Sequence, residues 1–466
     1  EKPKAFPCPC GANKLWEGDP ANEINKFGEV VEAVKGVVVS LDPHLTALSR
    51  MWILGEISVA LRGKPVRLCL AEGLADLKTE KLRQGQEIVT PVEHCEAGSR
   101  VDKSMILQGI QQQNGGYPAF DEFVACMVEL NLGRCTRLAK LSGQAAEVIV
   151  NVRELEMKLQ WSQAFLSDLT KLGFGAGVLG KQLRGLRSLL IDFSDCNRLQ
   201  DAGPLSEELK SLKGLETCTL NFGNAGLADL ATLCPGLGSL KELQTLYLTM
   251  DRTKIKDLAA LGSSLGGLDR LQTCYINVDF TKIKNVVALG TGFAGLQRLV
   301  NLTLSCSNCA QLADIAPLGH GLASLTSLQK CYLYFDHTRI VSVTSLGSGL
   351  GKLKELRRCF VSLTHTLVTN LSAFGERLGH LGAKTAVELD LSWTAVSPEE
   401  IQRVKQAVAK NGAKCDVVVH DPDKIAAIAG AATTDNADGY QGEGANAGQR
   451  FASTVVVFAD VTRGAA

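Results

Sequence analysis

The chain from Met157 to Leu391 repeats one pattern of apolar and polar positions. Each unit opens with a short run in which apolar residues alternate with polar or aromatic ones, and this predicts a strand with one buried face. Leucines at three- and four-residue spacing follow and predict a helix with one buried stripe. The predicted strands begin at Met157, Leu189, Cys218, Leu246, Cys274, Leu302, Cys331, Cys359 and Val387, and after the first unit they are 28 or 29 residues apart. Because such units bury their apolar faces only by stacking, the pattern predicts an α/β solenoid with a curved parallel sheet and outer helices.

A small polar residue recurs at one offset after the predicted strands. It is Thr253, Thr281, Thr338, Thr366 or Thr394, and it is Cys196 or Cys309 in the two 29-residue units. A small side chain that hydrogen-bonds to turning backbone suits this place. The spacing resembles that of the long, helix-containing class of leucine-rich repeats, in which a ladder of Asn, Cys or Thr lies at this offset. The resemblance implies that the strands line a concave face.

Strands and helices also alternate before the repeats. Residues 36–41 and 66–70 have the composition of buried strands, and helices are predicted at residues 23–34, 101–113 and 120–130. The predicted organisation is a partial α/β domain at residues 1–133 and a connector that caps the first repeat at 134–156. Nine repeats and a final cap strand, Cys415 to Val419, follow at 157–419, and a flexible tail occupies 420–466.

The segment SRMWILGEI at residues 49–57, which follows the strand sequence VVVSLDP, resembles part of Toll/interleukin-receptor (TIR) domains. It is more similar still to TIR-like domains of algae and other protists, where a TRxWCLFE helix precedes a strand, an Asp-initiated helix and a Gly-containing turn. Asp102, Ile106, Ile110, Gly115 and Phe120 fit that downstream pattern. The resemblance covers roughly residues 20–132 and implies a partial TIR-like domain.

In TIR enzymes that cleave NAD, the glutamate of this helix is catalytic, and Glu56 occupies that position. Ile53 stands where the family pattern has cysteine, and the family's first strand would lie before residue 20, where this sequence is short and proline-rich. We therefore expect that Glu56 is not catalytic. The alternative is a TIR-like NAD hydrolase that is regulated by its repeats. Consumption of NAD by the protein, abolished in the Glu56→Ala variant, would identify this alternative.

Composition narrows the possible partners. The 49 basic and 49 acidic residues cancel, so the chain has no basic footprint for nucleic acid or an anionic membrane surface. Its apolar runs are shorter than the roughly 18 residues that a membrane helix needs. The 15 cysteines include several that open predicted strands on the buried side, which favours free thiols and a cytoplasmic location. The sequence begins at Glu1 without Met, which leaves targeting open.

Two local motifs imitate ligand sites. Cys8 and Cys10 provide half of a zinc site, but no second pair follows at ligand spacing. The run from Gly175 to Lys181 imitates a phosphate-binding loop, but Gln182 stands where such a loop has Ser or Thr for magnesium. We expect neither a metal nor a cofactor.

The last part of the chain contains two signals of local structure. Ser397, Pro398 and Glu400 predict the start of a helix, with Ser397 as its cap and Glu400 reaching back to it. After a stretch of linker composition, Phe451 to Val461 has the pattern of a strand. We expect that strand to add to an exposed sheet edge in this protein or in a partner.

The predicted concave face presents aromatic and amide side chains at the second and fourth strand positions. The second positions are Lys158, Leu190, Thr219, Tyr247, Tyr275, Thr303, Tyr332, Phe360 and Glu388, and the predicted binding residues are Tyr247, Tyr275, Tyr332, Tyr334, Phe360, Asn221 and Asn277. Adjacent strands are about 4.8 Å apart, so the rings should form a contiguous stripe.

Aromatic residues among small polar ones are typical of protein-binding hot spots. The sequence therefore predicts a non-enzymatic scaffold that binds a protein or peptide on this face, either alone or within a larger assembly. Two alternatives stay open beside the NAD hydrolase. The rings could merely cover one another or a terminal segment of the same chain, and helix-containing repeats of this length also occur in GTPase-activating proteins.

Overall fold

The computed structural model describes residues 31–420, except 32, 35, 62–63, 65, 71–73, 75, 99, 114, 142, 150–151 and 159–165. The predicted zinc half-site at Cys8 and Cys10 and the predicted strand from Phe451 to Val461 lie outside these residues, as does nearly all of the helix predicted at 23–34. Those predictions stay untested.

A pair of parallel strands opens the described part of the chain. β1 (Val37–Leu41) pairs with β2 (Val66–Leu70), with Val37 opposite Val66, and helix α1 (Met51–Ala60) lies between them in sequence. Parallel neighbours need such a crossover because the chain must return to the same end of the sheet. A Cβ atom at Gly55 would lie 3.3 Å from Ile106, so this glycine lets α1 approach the helix that carries Ile106 closely.

Further helices surround this pair of strands. They are α2 (Asp76–Arg83), α3 (Arg100–Gln111), α4 (Gly116–Asn131), α5 (Thr136–Lys140) and α6 (Gly143–Ile149), with short 3-10 turns at Thr46–Ser49 and Val92–His94. Phe123 and Cys126 of α4 are fully buried. The strands predicted at residues 36–41 and 66–70 and the helices predicted at 101–113 and 120–130 are confirmed, but within the described residues five helices follow β2 before the next strand, so regular alternation does not continue.

A second, all-parallel sheet contains ten strands within the described residues, and each lies beside its neighbour in sequence. The strands are β3 (Glu154–Lys158), β4 (Ser188–Asp192), β5 (Thr217–Asn221), β6 (Thr245–Thr249), β7 (Thr273–Asn277), β8 (Asn301–Ser305), β9 (Lys330–Tyr334), β10 (Arg358–Ser362), β11 (Ala386–Asp390) and β12 (Lys414–Val418). Sequential order in a parallel sheet is what stacked repeats require, so the solenoid prediction is confirmed.

The strands alternate as predicted. We number each repeat from the first buried residue of its strand, so Leu246 is position 1 and Tyr247 is position 2. The third positions Leu248, Ile276 and Leu333 are completely buried. A slip of one residue would have turned them outward, so the buried and exposed faces are assigned correctly.

The register of the first repeat differs from the prediction. Leu155, not Met157, pairs with Leu189, so Met157 is a third position and Lys158 is a fourth position rather than a second. A shift of two residues keeps every side chain on its predicted face. Cys415 pairs with Val387, so the predicted cap strand continues the repeat register as a tenth strand.

The threonine ladder binds the turns that follow the strands. Thr253, Thr281 and Thr338 each donate their hydroxyl to the carbonyl oxygen three residues earlier, at 2.6–2.7 Å. Thr366 and Thr394 make the same bond. These buried hydroxyls satisfy a carbonyl group where the strand ends, as predicted.

Helical segments cover the other face of the sheet. They are α7 (Val178–Gln182), α8 (Gly203–Ser211), α9 (Cys234–Gly238), α10 (Ala259–Leu265), α11 (Val287–Phe293), α12 (Ala316–Leu322), α13 (Thr344–Leu350), α14 (Ser372–Leu378) and α15 (Pro398–Ala409), with a 3-10 turn at Leu169–Leu172. None of the helices in the described ranges combines the length and the apolar composition needed to cross a bilayer.

Glycines bring the central helices into backbone contact. A Cβ atom at Gly290 would overlap the carbonyl oxygen of Pro317 in the next helix, and one at Gly319 would overlap that of Ser345. On the opposite side of the same helices, a Cβ atom at Gly321 would overlap the carbonyl oxygen of Gly290. No side chain larger than hydrogen fits at Gly290, Gly319 or Gly321.

The N-terminal part meets the first repeat through a polar contact and a backbone bond. Arg67 of β2 pairs with Glu154 at 3.4 Å and also with Glu156, both on β3. The backbone N–H of Cys135 donates to Leu172. The segment around Cys135 therefore lies against the first repeat, where a cap is predicted.

The loop that imitates a phosphate site holds a carboxylate of the protein itself. The N–H groups of Gly175, Ala176 and Gly177 donate to one oxygen of Glu208 at 2.9–3.1 Å, and that of Leu179 donates to the other at 2.8 Å. Glu208 belongs to the following helix, α8, and is completely buried. The donors that would bind a phosphate are therefore already used.

We expect Glu208→Gln to lower the free energy of unfolding by about 3 kcal/mol, because it replaces a charged acceptor and puts an amide donor against a backbone donor. Urea unfolding compared with Glu207→Gln, a change at the exposed neighbour that pairs with Lys210, measures the effect. Equal losses in the two variants would contradict this account of the loop.

We expect Gly319→Ala to destabilise the repeats by about 3 kcal/mol, because the added methyl group overlaps backbone that cannot move without shifting α13. Gly382→Ala is the control, since a Cβ atom there has open space around it. Thermal unfolding of the two variants should separate them, and similar midpoints would show that the helices are not in contact at Gly319.

Candidate protein-binding surface

The sheet face that carries positions 2 and 4, which we call the open face, contains all the predicted binding residues. Tyr275, Tyr332, Tyr334 and Phe360 are partly buried, and Tyr247 is 36% exposed. The rings of Tyr247 and Tyr275 lie 5.9 Å apart and those of Tyr334 and Phe360 lie 5.1 Å apart, both in tilted pairs. Such distances are typical of favourable aromatic pairs.

The rings form two pairs rather than one uninterrupted row at position 2. Thr303 of β8 stands between Tyr275 and Tyr332. Burial raises the pKa of Tyr334, and the nearby Tyr275 hydroxyl adds to the rise. Tyr334 therefore lies near enough to Tyr275 for the two hydroxyls to interact electrostatically across Thr303.

The predicted amide residues have local partners. The side-chain oxygen of Asn221 accepts the backbone N–H of Gly223 at 3.0 Å, and that of Asn277 accepts the N–H of Asp279 at 2.8 Å. These bonds stabilise the chain where it leaves β5 and β7, which is a common use of Asn beside a turn. A structural role thus accompanies any binding role of these two residues.

A ladder of aspartates follows the strands at position 6, beside the rings. Asp279 accepts the hydroxyl of Ser305 at 2.6 Å and the N–H of Ser307 at 2.7 Å. Asp336 accepts the hydroxyls of Ser307 and Ser362 and the N–H of Thr364. Each carboxylate is therefore held by the neighbouring repeats and points along the open face.

Burial is the main influence on the pKa of Asp279 and of Asp251. It raises the pKa of Asp279 to about 6, against the lowering effect of Ser305 and Ser307, and the nearby Asp251 and Asp336 add to the rise. Burial also raises the pKa of Asp251. A positive charge placed between these groups would reverse the effect.

A second row of side chains, which we call the ridge, borders the open face at position 7. Its members have positive φ angles near 60° and are Asp195, Asn224, Arg252, Phe280, Asn308, His337, His365 and Trp393. The ring centroids of His337 and His365 are 4.4 Å apart, and those of His365 and Trp393 are 5.6 Å apart. Phe280 and Trp393 are about half exposed, at 51% and 52%.

Sequence reasoning considered positions 2 and 4 and missed both the ridge and the aspartate ladder. Asp, Asn and His at a constant offset are the signal that could have revealed the ridge, because these residues are enriched among side chains with positive φ. Arg252, Phe280 and Trp393 at the same offset weaken that signal.

Glu56, a metal site and the cysteines are the remaining candidates from the sequence. Glu56 lies in the middle of α1, partly buried, and burial raises its pKa. The described residues contain no group of three or more His, Cys, Asp or Glu side chains placed to hold a metal ion. Cysteines of the described ranges are free thiols, and burial raises the pKa of Cys218 and of Cys274 to about 12.

We expect Asp279→Asn to stabilise the protein more at pH 8 than at pH 4. A carboxyl whose pKa rises from 3.8 to about 6 on folding favours the folded state at low pH and loses that contribution as the pH passes 6. Asn carries no charge and can still accept the two bonds. The difference between the two pH values should be on the order of 2 kcal/mol.

Urea unfolding at both pH values measures this difference. Asp251 after β6, Asp336 after β9 and Tyr275 of β7 are the charged and titratable neighbours of Asp279. Asp269→Asn, at an exposed turn on the helical side, is the control. A stability change in Asp279→Asn that is the same at both pH values would contradict the expectation.

The comparisons with known proteins do not assign the chain to a family. No model of a protein family matches the chain, and no curated protein matches it. Function is therefore inferred from the geometry and chemistry of the open face.

Proposed function

We propose that this protein is a non-enzymatic scaffold whose open face binds a protein or peptide. In this proposal the repeats are leucine-rich repeats of the long, helix-containing class, and the part before them is a partial TIR-like domain. The 28- and 29-residue period and the bond from each ladder threonine to the turn support the first assignment. The order β1, α1, β2, with Glu56 on α1, is compatible with the second.

The observation that carries the proposal is the set of aromatic rings on a sheet face that helices leave uncovered. Tyr247, Tyr275, Tyr332, Tyr334 and Phe360 all project from the open face and retain exposed area. Their neighbours are small or polar, such as Thr249, Thr303 and Ser305. Aromatic residues within a polar surround are the usual composition of a binding hot spot.

Contacts among the aromatic rings leave part of their surface exposed. The rings of each pair lie close together, yet Tyr247 stays 36% exposed and Phe360 is only partly buried. A partner would bury the remaining apolar area, at roughly 25 cal/mol for each Å². The free, buried thiols of the repeats suit a reducing, cytoplasmic location and leave a place in a larger assembly open.

We expect Tyr334→Ala or Tyr332→Ala to weaken binding of the natural partner about thirtyfold, since loss of a hot-spot aromatic typically costs about 2 kcal/mol. The partner is first recovered from the native source with the intact protein. Affinity of the purified pair is then measured by calorimetry for the wild type and for each variant.

Changes on the helical side provide the controls. Lys256→Ala and Arg270→Ala alter exposed positions away from the open face and should leave affinity unchanged. If all four variants bind as tightly as the wild type, the binding site lies elsewhere, and the open face loses its proposed role.

A further inference from the structure

The open face is acidic although the whole chain is neutral, with 49 basic and 49 acidic residues. Counting only the described strands β4 to β12, positions 2, 4 and 6 carry seven carboxylates and no lysine or arginine. The carboxylates belong to Asp192, Asp251, Asp279, Asp336, Glu388, Asp390 and Asp416. The bases of these strands, Lys330, Arg358 and Lys414, stand two residues before position 2 and so share the open face. They lie at the start of each strand, away from the position-6 carboxylates of Asp279 and Asp336.

These carboxylates have little cationic compensation. Asp279 and Asp336 are bonded by hydroxyl and N–H groups, which orient a carboxylate but leave its charge. Among the described ion pairs, the one that reaches this set is Arg252 with Asp251, at the outer limit of 4.0 Å. Burial without a countercharge is unfavourable, so a docking cation would bind where the protein already disfavours a bare negative charge.

The aromatic rings favour a Lys or Arg side chain over a metal ion as the bound cation. A Lys ammonium or Arg guanidinium gains from an aromatic face, whereas a small metal ion gains more from additional oxygen ligands. Tyr275 of β7 lies near Asp279, which follows the same strand, and the carboxylates of Asp279 and Asp251 both influence its hydroxyl. At the ridge the protein already pairs such groups, because the Arg252 guanidinium lies 5.2 Å from the Phe280 ring centroid.

We infer that the open face binds a segment of its partner that is rich in arginine and lysine, with cationic side chains placed between the Tyr275 and Tyr334 rings and the carboxylates of Asp279 and Asp336. This inference rests on the proposed function and names the chemistry of the partner. A phosphate backbone is excluded from the same surface by the charge of its carboxylates.

The test uses the full chain and a fluorescein-labelled 12-residue peptide of alternating Arg and Ser, with an alternating Glu and Ser peptide for comparison. Fluorescence anisotropy at 50 mM NaCl should show binding of the Arg peptide alone, weakened at least tenfold at 300 mM NaCl. The double variant Asp279→Asn with Asp336→Asn should bind at least tenfold more weakly than the wild type.

Matched variants separate local recognition from general attraction. Asp269→Asn with Glu355→Gln removes the same charge from exposed positions on the helical side and should leave affinity unchanged. Tyr275→Leu should weaken binding several-fold while Tyr275→Phe retains it, because Phe keeps the aromatic face. Far-UV circular dichroism and thermal midpoints of all variants confirm that each is folded.

The outcomes distinguish the inference from the proposed function. Equal weakening by the open-face and helical-side charge variants, or no binding of the Arg peptide, overturns the cationic partner. If the natural partner still loses affinity in Tyr334→Ala, the open face remains the binding site and only the chemistry assigned to the partner is wrong. If neither the peptide nor the natural partner responds to changes on the open face, both ideas fail.

Discussion

Backbone contact between successive helices is the constraint on which the repeat array depends. Strands in a sheet are about 4.8 Å apart, whereas packed helices are usually 8–10 Å apart, so a repeat that contributes one of each must curve. Gly290 and Gly319 remove the side chains that would hold the central helices further apart. Smaller helix spacing flattens the sheet, and a flatter sheet keeps neighbouring side chains such as Tyr247 and Tyr275 close together on the open face.

The outer repeats add a second interaction. Glu208 holds the chain at the start of α7 through four N–H groups, and Glu400 holds the start of α14 through the N–H of Leu371 and the hydroxyl of Ser372. In both cases a carboxylate of one helix binds the positive end of the preceding helix, where unpaired N–H groups need an acceptor. Carboxylate hydrogen bonds therefore supplement the glycine contacts near the ends of the array, where a Cβ atom at Gly180 would still overlap the carbonyl oxygen of Ser211.

Much of this fold could be read from the sequence because alternation and helical spacing are local signals. They identified the strands, the buried faces and the threonine bonds. The first repeat was misplaced by two residues because its spacing to the next, from Leu155 to Leu189, is longer than 29 residues and lacks a repeat partner for comparison. The buried and exposed faces were still assigned correctly, because a shift of two residues returns each side chain to the same side of the strand.

Local sequence patterns could not predict the contacts between repeats. Glu400 was expected to reach back to its own cap at Ser397, and Ser397 does accept the N–H of Glu400 at 3.3 Å. The carboxylate, however, binds Leu371 of the preceding repeat at 3.0 Å. A partner one repeat away has no local signal, and the same holds for Glu208 and for the serines that hold Asp279. The aromatic positions could be predicted, but their carboxylate neighbours could not.

The ridge gives this protein an internal optical reporter. Its ring ladder ends, within the described residues, at Trp393, whose indole is stacked on His365, which in turn is stacked on His337. These three rings come from three successive repeats, and in a stacked array the last repeats can open separately from the others. Indole emission depends on what the ring contacts, so the fluorescence of Trp393 would register the fraying of this end while the central repeats remain closed.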